Sequence, residues 1–556
     1  MLQRRAKEMG FTTEAQSSQR RVDFVSVGEI PTETNLLPFK GKRFTKPADS
    51  KLFAAKRPRA GGLFWLIVPN QNRPPLFAFL RELCVSVVKI GLFLCFLFAL
   101  SGCEGILQQI KPVLEEEGEV YLYLQPYPQE AERLRFTIEQ VFAVSQDGRE
   151  IPLTLSLRDI KGPDVRRQRL LASGNLPPGP YIGLSFKVKD AIVRVEDEEE
   201  ESEAALLVPE VPVRVNFSYD IARKKGRVLS LVFKYRESIQ DRINFAPAFS
   251  IFVPSRPLNT LVGYVTNSGS NNVMVFDKKM VQIVGVIPTG RGPAGMALDQ
   301  RLLRAYVSLP DDDAIEVIDI TAGDIINRMR VNTGDRPREL ALTPDGRTLL
   351  ALNTGSNTVS FLDSASLFEL GRINVGNGPS SILIDQTGRR AFVFNTLSST
   401  ISVVDIPNRG IVTTISVDAG PLRGQFNRRG DRLYVIHEFS SNLTVIDPAF
   451  LVVQRRFTVR IGMSSIKVDT RSDLVYLGRK IDPMVEVYDP LSFVPVDSVK
   501  TGGGVVYMTI DGDESNLYLV NAQRKRVLVS NLVSKKIISE MDVGVDPYWV
   551  TIMGER

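Results

Sequence analysis

The sequence predicts an all-β fold in two parts, a smaller two-layered domain followed by a ring of seven four-stranded units. Three observations predict it. Segments ending in an acidic or amide residue recur at Asp277, Asp319, Asp363, Asp405, Asp447, Asp489 and Asn531, at spacings of 42, 44, 42, 42, 42 and 42 residues. Inside each unit apolar residues alternate with a period of two, which is the period of strands. Residues 104–255 also alternate, but without a repeat and with breaks at Pro, Gly and Asp-Gly.

Every repeat carries the same four elements in the same order. A proline (Met463 and Val505 in two units) opens one strand sixteen or eighteen residues after the acidic or amide residue. Apolar residues follow three and five positions later: Met296/Leu298, Leu340/Leu342, Ile382/Ile384, Ile466/Val468, Met508/Ile510 and Val550/Ile552, with Gly424/Phe426 the weak member. A turn such as "TPDG" or "DQTG" leads into a Tyr-Val strand, and a polar loop separates that strand from Val-x-Val-x-Asp. A last strand such as "ELGRINVG" runs to the glycine before the next proline. Four short strands per ~42 residues make one blade, so residues 256–556 are expected to form a seven-bladed β-propeller. The first unit starts at Tyr264 with no Pro-type strand ahead of it, and "PYWVTIMGER" supplies a surplus one at the far end. Residues 547–553 should therefore be the innermost strand of the blade that holds 264–288, closing the ring and hiding two sheet edges.

These repeats resemble the YVTN family of β-propeller repeats, through Tyr264-Val265-Thr266-Asn267, Asn353-Thr354-Gly355 and "TPDGRTL". The resemblance implies a seven-bladed ring in an envelope or surface protein of bacteria or archaea, and it brings no common catalytic residues.

Within 103–255, "EVYLYLQPYP", "RLRFTIEQVFAVSQDGREIPLTL", "GPYIGLSFKVKDAIVRV", "VPVRVNFSYDI" and "RVLSLVFKYRESI" read as an antiparallel β-sandwich. Leu176-Pro177-Pro178-Gly179-Pro180-Tyr181 and Leu229 to Ile239 are similar to a domain of uncharacterised function in bacterial lipoproteins. "LQPYP" stands where such domains often show acidic residues, so no cation role follows. The acidic run Glu196 to Glu203 is expected to be a solvated loop, because clustered carboxylates repel unless ligated.

Upstream lies "KIGLFLCFLFALSGCEG". Lys89 followed by the apolar run Ile90 to Leu100 suits a secretory h-region and falls short of the ~20 residues of a membrane span. Leu100-Ser101-Gly102-Cys103 resembles the lipobox of bacterial lipoproteins, which implies cleavage before Cys103 and a membrane anchor through lipid on that thiol. Glu104 is not the aspartate of inner-membrane retention, so the expected location is the outer membrane or a periplasm-facing one. Residues 85–102 are then a signal peptide. Residues 1–84, with scattered charge and no period, are expected to be a non-native upstream extension or a disordered tail. Without 1–102 there remain 53 basic and 56 acidic residues, so the chain's +6 becomes about −3 and argues for no nucleic-acid partner. Cys84 and Cys95 fall in the discarded part, leaving Cys103 alone and no internal disulfide.

His437 is the chain's one histidine. In the repeat it takes the place of Asn267, Leu309, Asn353, Asn395, Arg479 and Asn521, and is expected as a polar turn residue. There is no Cys-x-x-Cys-His, no His cluster and no spare thiol, so neither a metal nor another cofactor is expected. The loops before the Pro strand and after the Tyr-Val strand should share one face around the central channel. They carry Arg291, Arg336, Arg338, Arg460, Arg479, Lys480, Arg524, Lys525 and Arg526, interrupted by Asp311 to Asp313 and Asp335. Arg291, Arg336, Arg338, His437, Arg479 and Arg524 are the candidate ligand face, for an anionic partner or glycan, with ordinary solvated loop charge as the alternative. The reading is a monomeric, lipid-anchored, exported binding or scaffolding protein without catalysis, whose partner is an envelope protein or glycan. The alternative is an envelope hydrolase or lyase with its site at the channel mouth.

Overall fold

The structure, a computed structural model, describes residues 111–555 apart from 198, 199 and 514. Cys103, the expected signal peptide at 85–102 and the stretch 1–84 lie outside the described residues.

The first domain is built from β1 (Gly118–Leu124), β2 (Leu134–Ser145), β3 (Glu150–Leu155), β4 (Asp159–Lys161), β5 (Arg169–Leu176) and β6 (Gly179–Asp197). They are followed by β7 (Glu200–Leu206), β8 (Val213–Ile221), β9 (Gly226–Phe233), β10 (Ile239–Gln240), β11 (Asn244–Phe245) and β12 (Phe249–Phe252). Ten of these form one sheet in the order β12-β9-β1-β5-β3-β2-β6-β7, with β4 on β2 and β8 on β6. Strand β3 is the link, pairing with β2 along Val141 to Val144 and with β5 at Thr154 and Leu155. The two halves of the sheet enclose one core, to which Val120 and Leu229 contribute from one half and Phe136 and Phe186 from the other. The expected all-antiparallel pairing needs correcting. Strands β1 and β9 run parallel, Glu119 opposite Gly226, because alternation encodes a face and not a partner or its direction.

The acidic run is also not a loop. Its backbone continues the β6–β7 hairpin, with Glu196 opposite Glu201 and Asp197 opposite Glu200, so the backbone pairing that starts at Ala191 and Leu206 runs on to the end of both strands.

The rest of the chain is seven four-stranded antiparallel sheets. Blade 2 shows the pattern: the inner strand Met296–Asp299, then Arg304–Leu309, Ala314–Asp319 and the outer strand Asp324–Arg330. The recurring acidic or amide residue has a local cause. Asp319 Oδ1 accepts the N–H groups of Thr321 and Ala322, both at 2.8 Å, and so closes the turn into the outer strand. Asp447, Asp489 and Asn531 do the same in their blades. Fully buried tyrosines of the second strand, Tyr264, Tyr306, Tyr434, Tyr476 and Tyr518, fill the space between blades. The weak member is explained by a neighbour: a Cβ on Gly424 would lie 2.4 Å from the Phe394 ring, which occupies that space from the preceding blade.

Blade 1 is composite. Its outer three strands are Gln282–Pro288, Asn272–Asp277 and Val262–Asn267, and its inner strand is Pro547–Ile552 from the far end of the repeats. Gly263 lies opposite Ile552 and Val265 opposite Val550, as the surplus strand implied. Val550 and Ile552 are fully buried against Val520, Val529 and Met541 of blade 7.

The first domain sits across this seam. Strand β1 is buried along its whole length, on both faces, and its one charged residue, Glu119, is paired with Lys111. Val120, Leu122 and Leu124 face the domain's own core, and Tyr121 and Tyr123 join the core of blades 1 and 7. Tyr123 donates to the Asp542 carbonyl at 3.0 Å, and Arg169 pairs with the Asp542 carboxylate at 2.8 Å. The Gln168 amide both donates to the Ile283 carbonyl (3.1 Å) and accepts its N–H (2.7 Å), extending the outer edge of blade 1. Gly226 is required there, since a Cβ would meet the Val286 carbonyl oxygen at 2.7 Å.

Candidate functional site

Alternation along the inner strands that gives Met296, Leu340 and their equivalents to the blade cores gives the preceding residue to the channel. Around the ring that residue is Gly295, Glu339, Ser381, Arg423, Ser465, Tyr507 and Trp549. Two blades apart, Glu339 and Arg423 form an ion pair in which Glu339 is 1% exposed. The carboxylate also accepts the Ile382 N–H at 3.2 Å. Burial pushes the Glu339 carboxyl above its ordinary range, against the pull of the Arg423 charge. The Arg423 guanidinium lies over Tyr507 (5.1 Å) and Trp549 (5.2 Å), whose rings stack at 3.8 Å. Its buried Nε finds no acceptor.

Nearer the mouth, Arg338 lies 5.2 Å over the Tyr548 ring and its Nε donates to the phenol oxygen at 2.9 Å. Farther in, two residues along the inner strands, the Glu555 carboxylate accepts from Thr509 and from Thr551 (2.9 Å) and faces Lys467 at 3.7 Å. The channel is thus filled inside and opens at the mouth into a cavity of about 550 Å³. Ser380, Thr396 and Ser464 on its wall donate to carbonyls of the next blade at 2.7, 2.8 and 2.6 Å. Their oxygens keep lone pairs for an incoming donor.

Loops before the inner strand and after the second strand do share this mouth, since Gly378, Pro379 and Asp546 line it together with Thr354, Thr396, Lys480 and Ala522. Of the six candidate residues, only Arg338 lines the cavity. Arg291 is paired with Asp312 (2.6 Å) and Arg336 with Asp311 (2.9 Å). Arg479 is paired with Asp482, which also takes Arg460 at 3.3 Å. Arg524 is exposed on the rim, beside Gly502. Lys480 faces Glu438 at 3.8 Å, and Arg526 turns away to Glu540 (2.8 Å) and Asp542 (2.9 Å). The basic face expected from the sequence is therefore largely neutralised, by carboxylates of other repeat segments at Arg291 and Arg336 and by one three residues away at Arg479.

His437 is neither a turn residue nor on the ligand face. It is the fully buried last residue of the second strand of blade 5 (Leu433–His437), and its Nε2 is 2.9 Å from Thr444 Oγ1 on the third strand. Asn353 bridges the same strands in blade 3, donating to Thr358 (3.0 Å) and Ser360 (2.8 Å). The loop begins one residue later than the spacing suggested. Burial pushes the imidazole down to about 4, while Asp418 nearby pulls it up and Arg456 lowers it further. Since the folded value lies below the unfolded ~6.5, His437 lends its full stability above that pH and loses it as pH falls towards 4. His437→Asn should keep the bracket and remove the titration. Thermal melts of the two proteins should run parallel above pH 7, and at pH 4 the wild type should have lost about 3 kcal/mol relative to the variant.

A second cavity of about 580 Å³ separates the first domain from blades 1 and 2. Glu316 on its wall is pushed up to about 7 by burial, with Arg328 (3.3 Å) and the Gly290 N–H (3.3 Å) as partners. Among the described residues no three His, Cys, Asp or Glu side chains are grouped to hold a metal ion, and no helix is long and apolar enough to cross a membrane.

The sequence reading missed Glu339, Arg423, Tyr507, Tyr548, Trp549 and Glu555. A signal was present. At the residue before the core-facing one, three blades carry Gly or Ser, and the other four carry Glu339, Arg423, Tyr507 and Trp549, charged or aromatic side chains at one repeat position.

Fold and mouth define a β-propeller protein. Residues 252–474 match the family model of the YNCE-like beta-propeller. Among solved structures the chain is similar to the hydrazine synthase of Kuenenia stuttgartiensis, at 19% identity over 49% of this chain and 92% of that one, with a TM-score of 0.45. It is similar also to the dihydro-heme d1 dehydrogenase NirN in complex with DHE, at 15% identity over 54% and 78% of the two chains (TM-score 0.44). A functionally unknown protein of Desulfotomaculum acetoxidans aligns at 13% identity over 52% and 98% (TM-score 0.46). No curated protein matches the sequence.

Proposed function

We propose that the chain is an exported envelope protein, anchored by lipid on Cys103, that binds a partner at the channel mouth of its propeller and performs no catalysis there. In this reading the propeller is of YVTN type and the first domain is a lipoprotein-type β-sandwich that holds the ring away from the membrane. The observation that carries the binding role is the mouth itself: a cavity of about 550 Å³ beside exposed Leu397, Phe439 and Ile481. The hydrolase or lyase alternative calls for channel-lining carboxylates within hydrogen-bond reach of His437, and that residue is buried inside blade 5.

Two experiments test this. A photo-crosslinking side chain in place of Lys480, in the full-length protein in its native envelope, should give a discrete protein adduct. The same group at Ile326 or Ile538, exposed on outer strands, should not. Equal labelling at all three positions rejects the mouth as the binding face. Separately, Cys103→Ala should abolish labelling by fatty acid and release the protein from membranes, because stable anchoring needs two or more acyl chains. Persistent lipid label rejects the anchor.

A further inference from the structure

We propose that the occupant of the mouth is an extended segment of a partner polypeptide that presents a carboxylate next to a large apolar side chain. This rests on the reading of the mouth as the binding face.

The carboxylate follows from the charges at the cavity. Arg423 is spent on Glu339, Lys480 faces Glu438, and Asp546 lies against the Gly269 loop of blade 1. Arg338 is different. Tyr548 takes only its Nε, and no carboxylate pairs with it among the described residues. Its terminal N–H groups form a fork held flat by an aromatic ring, the arrangement that favours two parallel hydrogen bonds to a carboxylate.

The apolar side chain follows from the rim. Leu397 (73% exposed), Phe439 (56%) and Ile481 (78%) occupy one repeat position in blades 4, 5 and 6. The same position is Gly269, Asp311, Gly355 and Gln523 in the other blades, so the repeat itself does not call for an apolar residue. Leu397 and Phe439 also lean over Gly378 and Gly420, the glycines that lead into the inner strands. They form an arc along one half of the mouth.

The opposite half decides against a flat lipid surface. It carries Arg291 and Arg328 on Asp312 and Arg336 on Asp311, charges that a membrane pressed on the whole face would have to dehydrate. A peptide lying along the arc leaves them in water. Its N–H groups would meet the acceptor oxygens of Ser380, Thr396 and Ser464.

The test uses the full-length protein in detergent and fluorescein-labelled octapeptides containing Phe or Leu beside Asp or beside a free C-terminal carboxylate. Matched Asn or amidated peptides are the controls, and binding is read by anisotropy and by the emission of Trp549. The carboxylate peptides should bind, and the controls at least tenfold more weakly. Arg338→Gln, and Leu397→Ser with Phe439→Ser, should each weaken binding at least tenfold, whereas Arg291→Gln should not. Equal binding of acid and amide forms, or indifference to Arg338→Gln, overturns the proposal. So does binding to phosphatidylglycerol–phosphatidylcholine vesicles that Phe439→Ser abolishes, which would assign the arc to lipid. If the Lys480 crosslinker captures a protein and no peptide binds, only this inference fails. If neither occurs, the mouth reading fails with it.

Discussion

Deleting residues 546–556 should lower the melting temperature of the propeller by roughly 10 °C or more, in one cooperative step. The deletion removes the inner strand of blade 1, so Val262–Asn267 loses a partner along its whole length. Val550 and Ile552 are fully buried, and their burial contributes about 1.5–3 kcal/mol each. At about 2–4 °C per kcal/mol for a domain of this size class, these two side chains alone give a shift of that order. The deletion also strips Trp549 from Tyr507 and the Glu555 carboxylate from Thr509 and Lys467. Melts followed by far-ultraviolet circular dichroism, which does not depend on Trp549, check it. An unchanged transition would show that the ring is held by something other than this strand. The first domain touches blades 1 and 7 across the seam, so its own transition should fall with that of the propeller.

Arg423→Met should cost about 3–5 kcal/mol at neutral pH, because it leaves the Glu339 carboxylate buried with the Ile382 N–H as its remaining hydrogen-bond partner. The penalty should shrink in acid. Burial already raises the Glu339 carboxyl above its ordinary range, and without Arg423 it rises further. A raised carboxyl is most stable protonated, so the variant's stability is highest below the unfolded value of ~4.3 and falls as pH climbs towards the folded one. Chemical denaturation at pH 5 and pH 8 should show the smaller loss at pH 5. Glu339→Leu combined with Arg423→Met should recover most of the stability, the usual result when a buried pair is replaced by apolar groups rather than broken. If the double variant is as unstable as the single one, the pair is needed for the stacking of Tyr507 and Trp549 and not merely tolerated.

The propeller was legible because its information is local and repeated. The Asp-closed turn, the Tyr-Val strand and the proline of the inner strand each write the same short pattern at every unit, and the missing first strand with its surplus copy at the end announced the closure. The first domain was legible only in outline. Alternation marked its strands, but the parallel β1–β9 pair and the bridging role of β3 depend on which chain segments meet, and period-two patterning is silent on that. "EVYLYL" is a case in point: read as one sandwich strand among several, it is buried on both faces, and the propeller covers one of them.

The candidate site divides in the same way. Sequence spacing alone placed two sets of loops around one mouth and put Arg338 among them. Tertiary structure alone decided that Arg291 and Arg336 are neutralised by Asp312 and Asp311, and that His437 is a buried bracket rather than a turn. It also decided that Glu339, Arg423, Tyr507 and Trp549 meet in the channel. The physical reason is that a charge or a ring acts over a few ångströms in space. Glu339 and Arg423 stand two repeats apart in the chain, and only closure of the ring brings them together.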